Sequence, residues 1–252
     1  MWPERPGAQR RERVDVSGPD TKRVLTIALA PGPLADISSP AGAELVAALT
    51  DGATDPPRAL VIDARAGVGI AEPRVPTPRG LSDPAALLAA FPAPTLAVWD
   101  GPAIGAGAEL LLACDVRVIG EHATMAFPEV GAGELPCWGG TQRLTRAGGV
   151  ALALRMLVIG EKVSAPQLER SGIAFLAEDA LACVRELAER LAAGAPRAQA
   201  AAREAVIRGR DLTMADGHRL ESDLNLLLST TRDRAEGIAA FFDKRAPEFE
   251  GE

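Results

Sequence analysis

The chain contains no tyrosine, and its aromatic residues amount to 4% of the whole. A core built from it must therefore come from alanine, leucine and valine rather than from stacked rings. Lysine is nearly missing as well: Lys22, Lys162 and Lys244 are the only three, so the basic charge is carried by arginine. The formal net charge of −7 argues against a general nucleic-acid binder. It leaves room for a local basic patch that receives an anionic small molecule. Cysteine is scarce and odd in number, at Cys114, Cys137 and Cys183, and the two histidines, His122 and His218, lie far from any cysteine pair. No metal-ligand spacing results, and a reduced, cytoplasmic protein without a metal is the simple reading. The basic N-terminus has no apolar stretch behind it, which excludes a secretory signal as its reading. Long apolar runs are lacking too. Glu109 and Arg155 interrupt the best candidates before the roughly 18 residues a membrane span needs, so membrane insertion is not expected.

What is present suits one large domain, or one domain with a small appendage. The 252 residues are 47% hydrophobic and 24% charged, enough for a substantial core under an ordinary polar surface. Residues 1–20 are polar and rich in proline, arginine and glycine, and read as a flexible tail. Residues 23–30, 58–63 and 94–99 read as buried strands, with helices expected over 39–49 and from Ser82-Asp-Pro onward. Strands alternating with helices predict an α/β architecture with parallel strands. Helices are also expected over 150–159, 164–171 and 179–192. Beyond Pro196 the pattern turns wholly helical, so 21–195 and 196–252 divide into a core and a C-terminal helical region. No internal sequence repeat is visible.

The chemistry-bearing residues cluster in the middle. Gly101-Pro-Ala-Ile-Gly-Ala-Gly-Ala-Glu109 follows a strand and opens an apolar helix. The unpaired N–H groups at such a helix start, Ala106 among them, gather partial positive charge and can stabilise an oxyanion. Small residues here also serve a plainer purpose, close packing of helix on strand. Gly105-Ala-Gly107 lacks the third glycine of a dinucleotide fingerprint, which disfavours a nucleotide cofactor of that kind. Glu109 stands among alanine, leucine and cysteine, where an acid rarely goes without a partner or a task. Glu129 follows Pro128 in Ala126-Phe-Pro-Glu129-Val-Gly-Ala-Gly133, on a stiffened loop. Two carboxylates sharing one site form an acid and a base at neutral pH.

These blocks, with Gly139-Gly-Thr-Gln-Arg-Leu144 directly after them, resemble the active-site half of the crotonases, the enoyl-CoA hydratase/isomerase family. The ending from Glu236 to Phe249 resembles that family's C-terminus. The resemblance implies an α/β spiral of β-β-α turns with a C-terminal helical region that assembles trimers, or hexamers as dimers of trimers. It implies a hydro-lyase acting on a 2-enoyl-CoA thioester, with coenzyme A arriving as part of the substrate and no other cofactor. In that pattern Glu109 activates water for attack at C3, Glu129 delivers a proton to C2, and the Ala106 N–H binds the thioester oxygen.

Several positions depart from the family pattern. The second oxyanion donor lies in an Ala-Gly-Ala-Asp-like turn, for which Ala66-Gly67-Val68-Gly69-Ile70 is the nearest stretch, with Val68 as the expected donor. Leu34-Ala35-Asp36-Ile37 replaces the usual adenine-contacting turn, and Trp138 stands where a small residue is usual. The altered Val68 loop and Trp138 suggest an acyl group other than a plain straight-chain fatty enoyl. Substrate contacts are expected from Ala35, Gly67, Gly69, Ile70, Gly105, Pro128, Gly133 and Trp138, and from Lys244 reaching a neighbouring subunit. Two alternatives stay open: isomerase or decarboxylase chemistry through the same enolate, and a catalytically weak CoA-binding subunit.

Overall fold

The computed structural model describes residues 14–17, 23–29, 40–69 and 83–252. Ala35 and Ile70 lie outside these residues, as does the rest of the turn at 34–37. A six-stranded sheet runs in the order β1-β2-β3-β4-β6-β9. Its strands are β1 (Val14–Ser17), β2 (Val24–Leu29), β3 (Ala59–Asp63), β4 (Thr95–Trp99), β6 (Val116–Ile119) and β9 (Phe175–Leu176). In this sheet only the β1–β2 pair is antiparallel, and β1 corrects the reading of 1–20 as a flexible tail, since Val14–Ser17 pair with residues 26–29. A smaller sheet joins β5 (Pro102–Ile104), β7 (Thr124–Ala126) and β8 (Val163–Ser164).

Every residue of β3 and of β4 is buried, as expected of parallel strands covered on both faces. Alternation of side chains decides which core each residue enters. Leu60 and Ile62 face the main core, with Leu45 and Leu49 of α1 (Pro40–Thr54) and with α3 (Ala106–Ala113). Ala59 and Val61 face the opposite core, where Ala180, Val184 and Ala188 of α6 (Ala180–Ala192) cover them. A fully buried Leu, Ile or Val here stabilises the fold by about 1.5–3 kcal/mol relative to exposure.

The architecture is a spiral. β3 feeds a short bridge at Val68, which pairs in parallel with Ala103 of β5. β4 leads into β5 and α3, and β6 leads into β7. Each turn thus gives one strand to the large sheet and one to the small. Val61 pairs with Leu96, and Val68 with Ala103, so the first two turns repeat with one common step in both sheets. No residue identity marks that repeat, which is why the bare sequence does not display it.

Helices α2 (Pro84–Ala89), α4 (Gly140–Val158) and α5 (Ala165–Arg170) pack around the spiral. Asp83 caps α2, accepting from the Ala86 N–H at 2.7 Å, with Pro84 in the first turn. The expected helix over 150–159 proves to be the second half of α4. Gly149, at φ 81° and ψ 163°, kinks that helix, and its first half reaches back to Gly140.

Three helices close the chain: α7 (Pro196–Gly209), α8 (Met214–Leu228) and α9 (Arg232–Asp243). The first is bolted to the spiral through Arg203, whose Nε meets Asp115 at 2.7 Å while its other nitrogens reach the carbonyls of Ala89 and Phe91. The C-terminal tail is tied down as well. Arg58 donates to the Phe249 carbonyl at 2.8 Å, and Asp233 accepts from the Glu250 and Gly251 N–H groups. Arg245 grips Glu236 and holds its carboxyl down to about 2, with the Glu248 N–H adding to the effect. Neither α7 nor α8 buries a single residue. Large apolar side chains stand exposed instead, with Leu226, Leu227, Phe241 and Phe242 each two thirds or more accessible. Among the described residues no helix is long and apolar enough to cross a membrane.

Candidate active site

The small sheet sets the site. Val68, β5 and β7 run parallel side by side, so the segments that leave their C-terminal ends emerge as neighbours. Such carboxyl ends of parallel strands are where α/β proteins place their ligands. From β5 the chain passes Gly105, whose N–H donates to the Ala126 carbonyl of β7 at 3.0 Å, and enters α3. From β7 it passes Phe127 and Pro128 and enters a 3-10 turn at Glu129–Ala132. Glu109 and Glu129 thus depart from the same edge of the sheet.

Glu109 is completely buried in a helix whose eight residues are all buried. Its Oε1 accepts two backbone N–H groups from the loop after Glu129, that of Trp138 at 2.8 Å and that of Gly140 at 2.7 Å. Two donors on one oxygen fix the carboxylate's position and tie the start of α4 to the start of α3. A Cβ on Gly140 would stand 2.9 Å from both Cγ and Oε1 of Glu109, so the seat requires a glycine. Sequence reading grouped Gly140 with a family stretch without seeing this task, because its partner is 31 residues distant.

Glu129 is 6% exposed, an acid held away from solvent at the first position of its turn. Ala106 opens α3, where Ala106, Gly107 and Ala108 have no carbonyl four residues back within the helix to bond. The first N–H of α3 that does is that of Glu109, which meets the Gly105 carbonyl at 3.0 Å. The donors expected for an oxyanion therefore stand at the edge shared by the two acids. Gly105 has φ 55°, which lets the chain turn sharply from β5 into α3.

Val68 requires a correction. Its N–H is spent on the Pro102 carbonyl at 2.9 Å, and its own carbonyl accepts from the Ile104 N–H at 3.0 Å. These two bonds are the parallel bridge itself, so Val68 is a strand residue and not the second oxyanion donor. Counting three residues on from each member of the bridged pair leads to Ala106 in one turn and to Ala71 in the other. Ala71 lies outside the described residues. Matching Ala66-Gly67-Val68-Gly69-Ile70 to the family's turn puts Val68 at the donor position, whereas the bridge with Ala103 makes it a strand residue.

Gly69 and Gly107 mark how closely the first turn passes over α3. A Cβ on Gly69 would fall 2.1 Å from the Ile104 carbonyl oxygen, and one on Gly107 would fall 2.5 Å from the Val68 oxygen. The plainer purpose of the small residues, close packing, thus operates beside the candidate oxyanion site. Gly67, at φ 92°, turns the chain just before the bridge. Pro128 precedes Glu129 directly, while Gly133 is an exposed left-handed residue ending the 3-10 turn. The Trp138 ring is 2% exposed and packs in the main core, so the described contact of Trp138 with the site is made by its backbone. Lys244 sits exposed at the left-handed C-cap of α9, on the element with the exposed Phe241 and Phe242.

Two further groups stand close by. Arg143, on the first turns of α4, feels the charge of Glu109, although burial is the main influence on its guanidinium and lowers its pKa. The Cys114 thiol, at the end of α3, is pushed up to about 12 by burial, which makes it unreactive at neutral pH. No group of three or more histidine, cysteine or acidic residues is placed to hold a metal among the described residues.

Comparison with known proteins bears on the family and the fold. A model described as enoyl-CoA hydratase/isomerase matches residues 78–252. The 2,3-dehydroadipyl-CoA hydratase of Escherichia coli K12 is 41% identical over 169 residues, covering 66% of this chain and 66% of its own length. Human mitochondrial enoyl-CoA hydratase domain-containing protein 2 is 41% identical over 171 residues, which cover 65% of this chain and 59% of that protein. The matched segment thus spans less than two thirds of these relatives, 66% of the first and 59% of the second. The crystal structure of an enoyl-CoA hydratase from Bacillus anthracis superposes with a TM-score of 0.81 at 27% identity, over 95% of this chain and 100% of that one. With a family match over well more than half of its length and a spiral shared with solved structures, the chain belongs to the enoyl-CoA hydratase/isomerase family, with the crotonase fold.

Proposed function

We propose that the protein hydrates 2-enoyl-CoA thioesters, or runs the reverse dehydration. The observation that carries this reading is the pair of buried glutamates leaving neighbouring strand ends, with Glu109 seated on two backbone N–H groups. Glu109 takes a proton from water as the water oxygen bonds to C3. The electron pair of the C2–C3 double bond moves onto the thioester oxygen as an enolate. The Ala106 N–H stabilises that oxyanion, backed by the positive end of α3. Glu129 then delivers a proton to C2 and the carbonyl reforms, so the net change is the addition of one water. The relatives' names point the same way, since 2,3-dehydroadipyl-CoA is itself a thioester unsaturated between C2 and C3.

The test is crotonyl-CoA turnover, followed by loss of the enoyl-thioester absorbance. Disappearance of that absorbance with 3-hydroxyacyl-CoA as product is expected; a product with a moved double bond would replace hydration by isomerase chemistry, and carbon dioxide released from a 2-carboxyacyl-CoA assayed in parallel would replace it by decarboxylase chemistry. One observation favours a second reading, a CoA-binding subunit of weak activity: Val68 does not supply the second oxyanion donor. Retained thioester binding without turnover of any enoyl-CoA would select it.

The same reading includes assembly through the C-terminal helices. Apolar side chains exposed on α8 and α9 need cover, and Lys244 beside them would then face a neighbouring subunit's coenzyme A. Sedimentation equilibrium should report three or six chains, and a monomer would overturn the assembly.

A further inference from the structure

A cavity of about 430 Å³ lies between the C-terminal end of α3, the first half of α4, and α7. Its volume falls in the range of small-molecule sites. Five arginines line it, Arg117, Arg143, Arg146, Arg203 and Arg210, against one carboxylate, Asp115. Asp211 stands near Arg146 and Arg210, at 3.6 and 3.7 Å. Counting both acids, the site keeps an excess of three positive charges, in a chain whose total is −7.

The five divide by what they hold. Arg117 bonds the carbonyls of Ile173 and Cys114, and Arg203 bonds Asp115, Ala89 and Phe91, so both are committed to the fold. Among the described residues Arg143 reaches the Trp138 and Ala85 carbonyls, at the long distances of 3.4 and 3.3 Å. Arg146 holds Gln142 and, loosely, Asp211, and Arg210 shares that same aspartate. Burial acts most strongly against the charge on Arg143, Asp83 and Glu109 support it, and Arg210 repels it, a repulsion that an anion between the two guanidinium groups would relieve. Guanidinium forks converging on one volume match phosphate oxygens in geometry and charge.

We propose that this cavity is a second, non-catalytic site for a small phosphate-bearing anion, held by Arg143, Arg146 and Arg210. It adjoins the reaction centre through the wall that separates them. Gly139 lines the cavity, and the next residue, Gly140, seats Glu109. The binding does not depend on the hydratase reading, because it is measured without turnover.

Titration calorimetry with inorganic pyrophosphate is the experiment. One site per chain is expected, weakening about ten-fold or more in the double variant Arg146→Gln/Arg210→Gln and unchanged in Arg190→Gln on α6. Arg146 and Arg210 are 40% and 47% exposed, and their loose contacts to Asp211 add little stability, so the double variant should melt like wild type. Absence of saturable heat up to about 10 mM pyrophosphate would overturn the proposal, as would equal binding by the double variant. A further arm separates two sources of phosphate. Saturating coenzyme A should leave pyrophosphate binding intact. If coenzyme A displaces pyrophosphate and the double variant loses both, the cavity serves the substrate's own phosphates and the separate site is refuted.

Discussion

Glu129→Gln is expected to lower kcat for crotonyl-CoA hydration by about 100-fold or more, with KM within a few-fold of wild type. The amide keeps the size and shape of the side chain but has no acidic proton to give to C2. Its surroundings favour a clean comparison. The backbone around Glu129 is held by the Gly131 N–H on the Pro128 carbonyl and by the Glu134 N–H on the Glu129 carbonyl, and neither bond involves the side chain. A hundred-fold loss corresponds to about 2.7 kcal/mol of transition-state stabilisation. Glu109→Gln should fall by a comparable factor for the opposite reason, because water then lacks its base. The double variant should fall little further than either single one, as residues acting in one step are not additive. A Glu129→Gln rate within about five-fold of wild type would remove Glu129 from the reaction.

The parts of the molecule legible in the sequence were those with local causes. β2, β3 and β4 are apolar runs bounded by breakers, and residues 24–29, 59–63 and 95–99 form those strands. Glu109 stood out because an acid in an alanine- and leucine-rich helix is costly without a partner, and its partners are the Trp138 and Gly140 N–H groups. What stayed hidden was set by distance along the chain. β5, β7, β8 and β9 have two or three residues each, too few for any periodicity to show. The apolar pattern at 150–159 does not carry the start of α4, because Gly149 kinks the helix and separates that pattern from the half beginning at Gly140. Val68 was misassigned for the same reason. Whether a backbone N–H faces a ligand or a neighbouring strand is decided by pairing with Pro102, 34 positions away, and no local pattern carries that information.

Gly140→Ala is the sharper test, because it alters the site without touching an acid. The new methyl would stand 2.9 Å from Cγ and Oε1 of Glu109 and from Cβ of Pro136. Atoms at that separation must move, and the fixed backbone of α3 leaves two ways to do so. Either the Glu109 carboxylate swings off its seat, or the start of α4 retreats and takes the Trp138 and Gly140 N–H groups with it. Both routes stretch the bonds now at 2.7 and 2.8 Å and displace the proposed base from its place. A displacement of about 1 Å at a reacting group can cost on the order of 100-fold, so kcat should fall by about that factor. Overpacking of this kind also destabilises by about 1–3 kcal/mol, which in a chain of this size lowers Tm by a few degrees. Gly209→Ala is the matched control, since a Cβ there meets nothing within 4 Å, and it should leave both quantities near wild type. If Gly140→Ala lowers Tm while kcat per folded molecule holds, the seat serves packing alone, and the base of the reaction must be sought elsewhere than at Glu109.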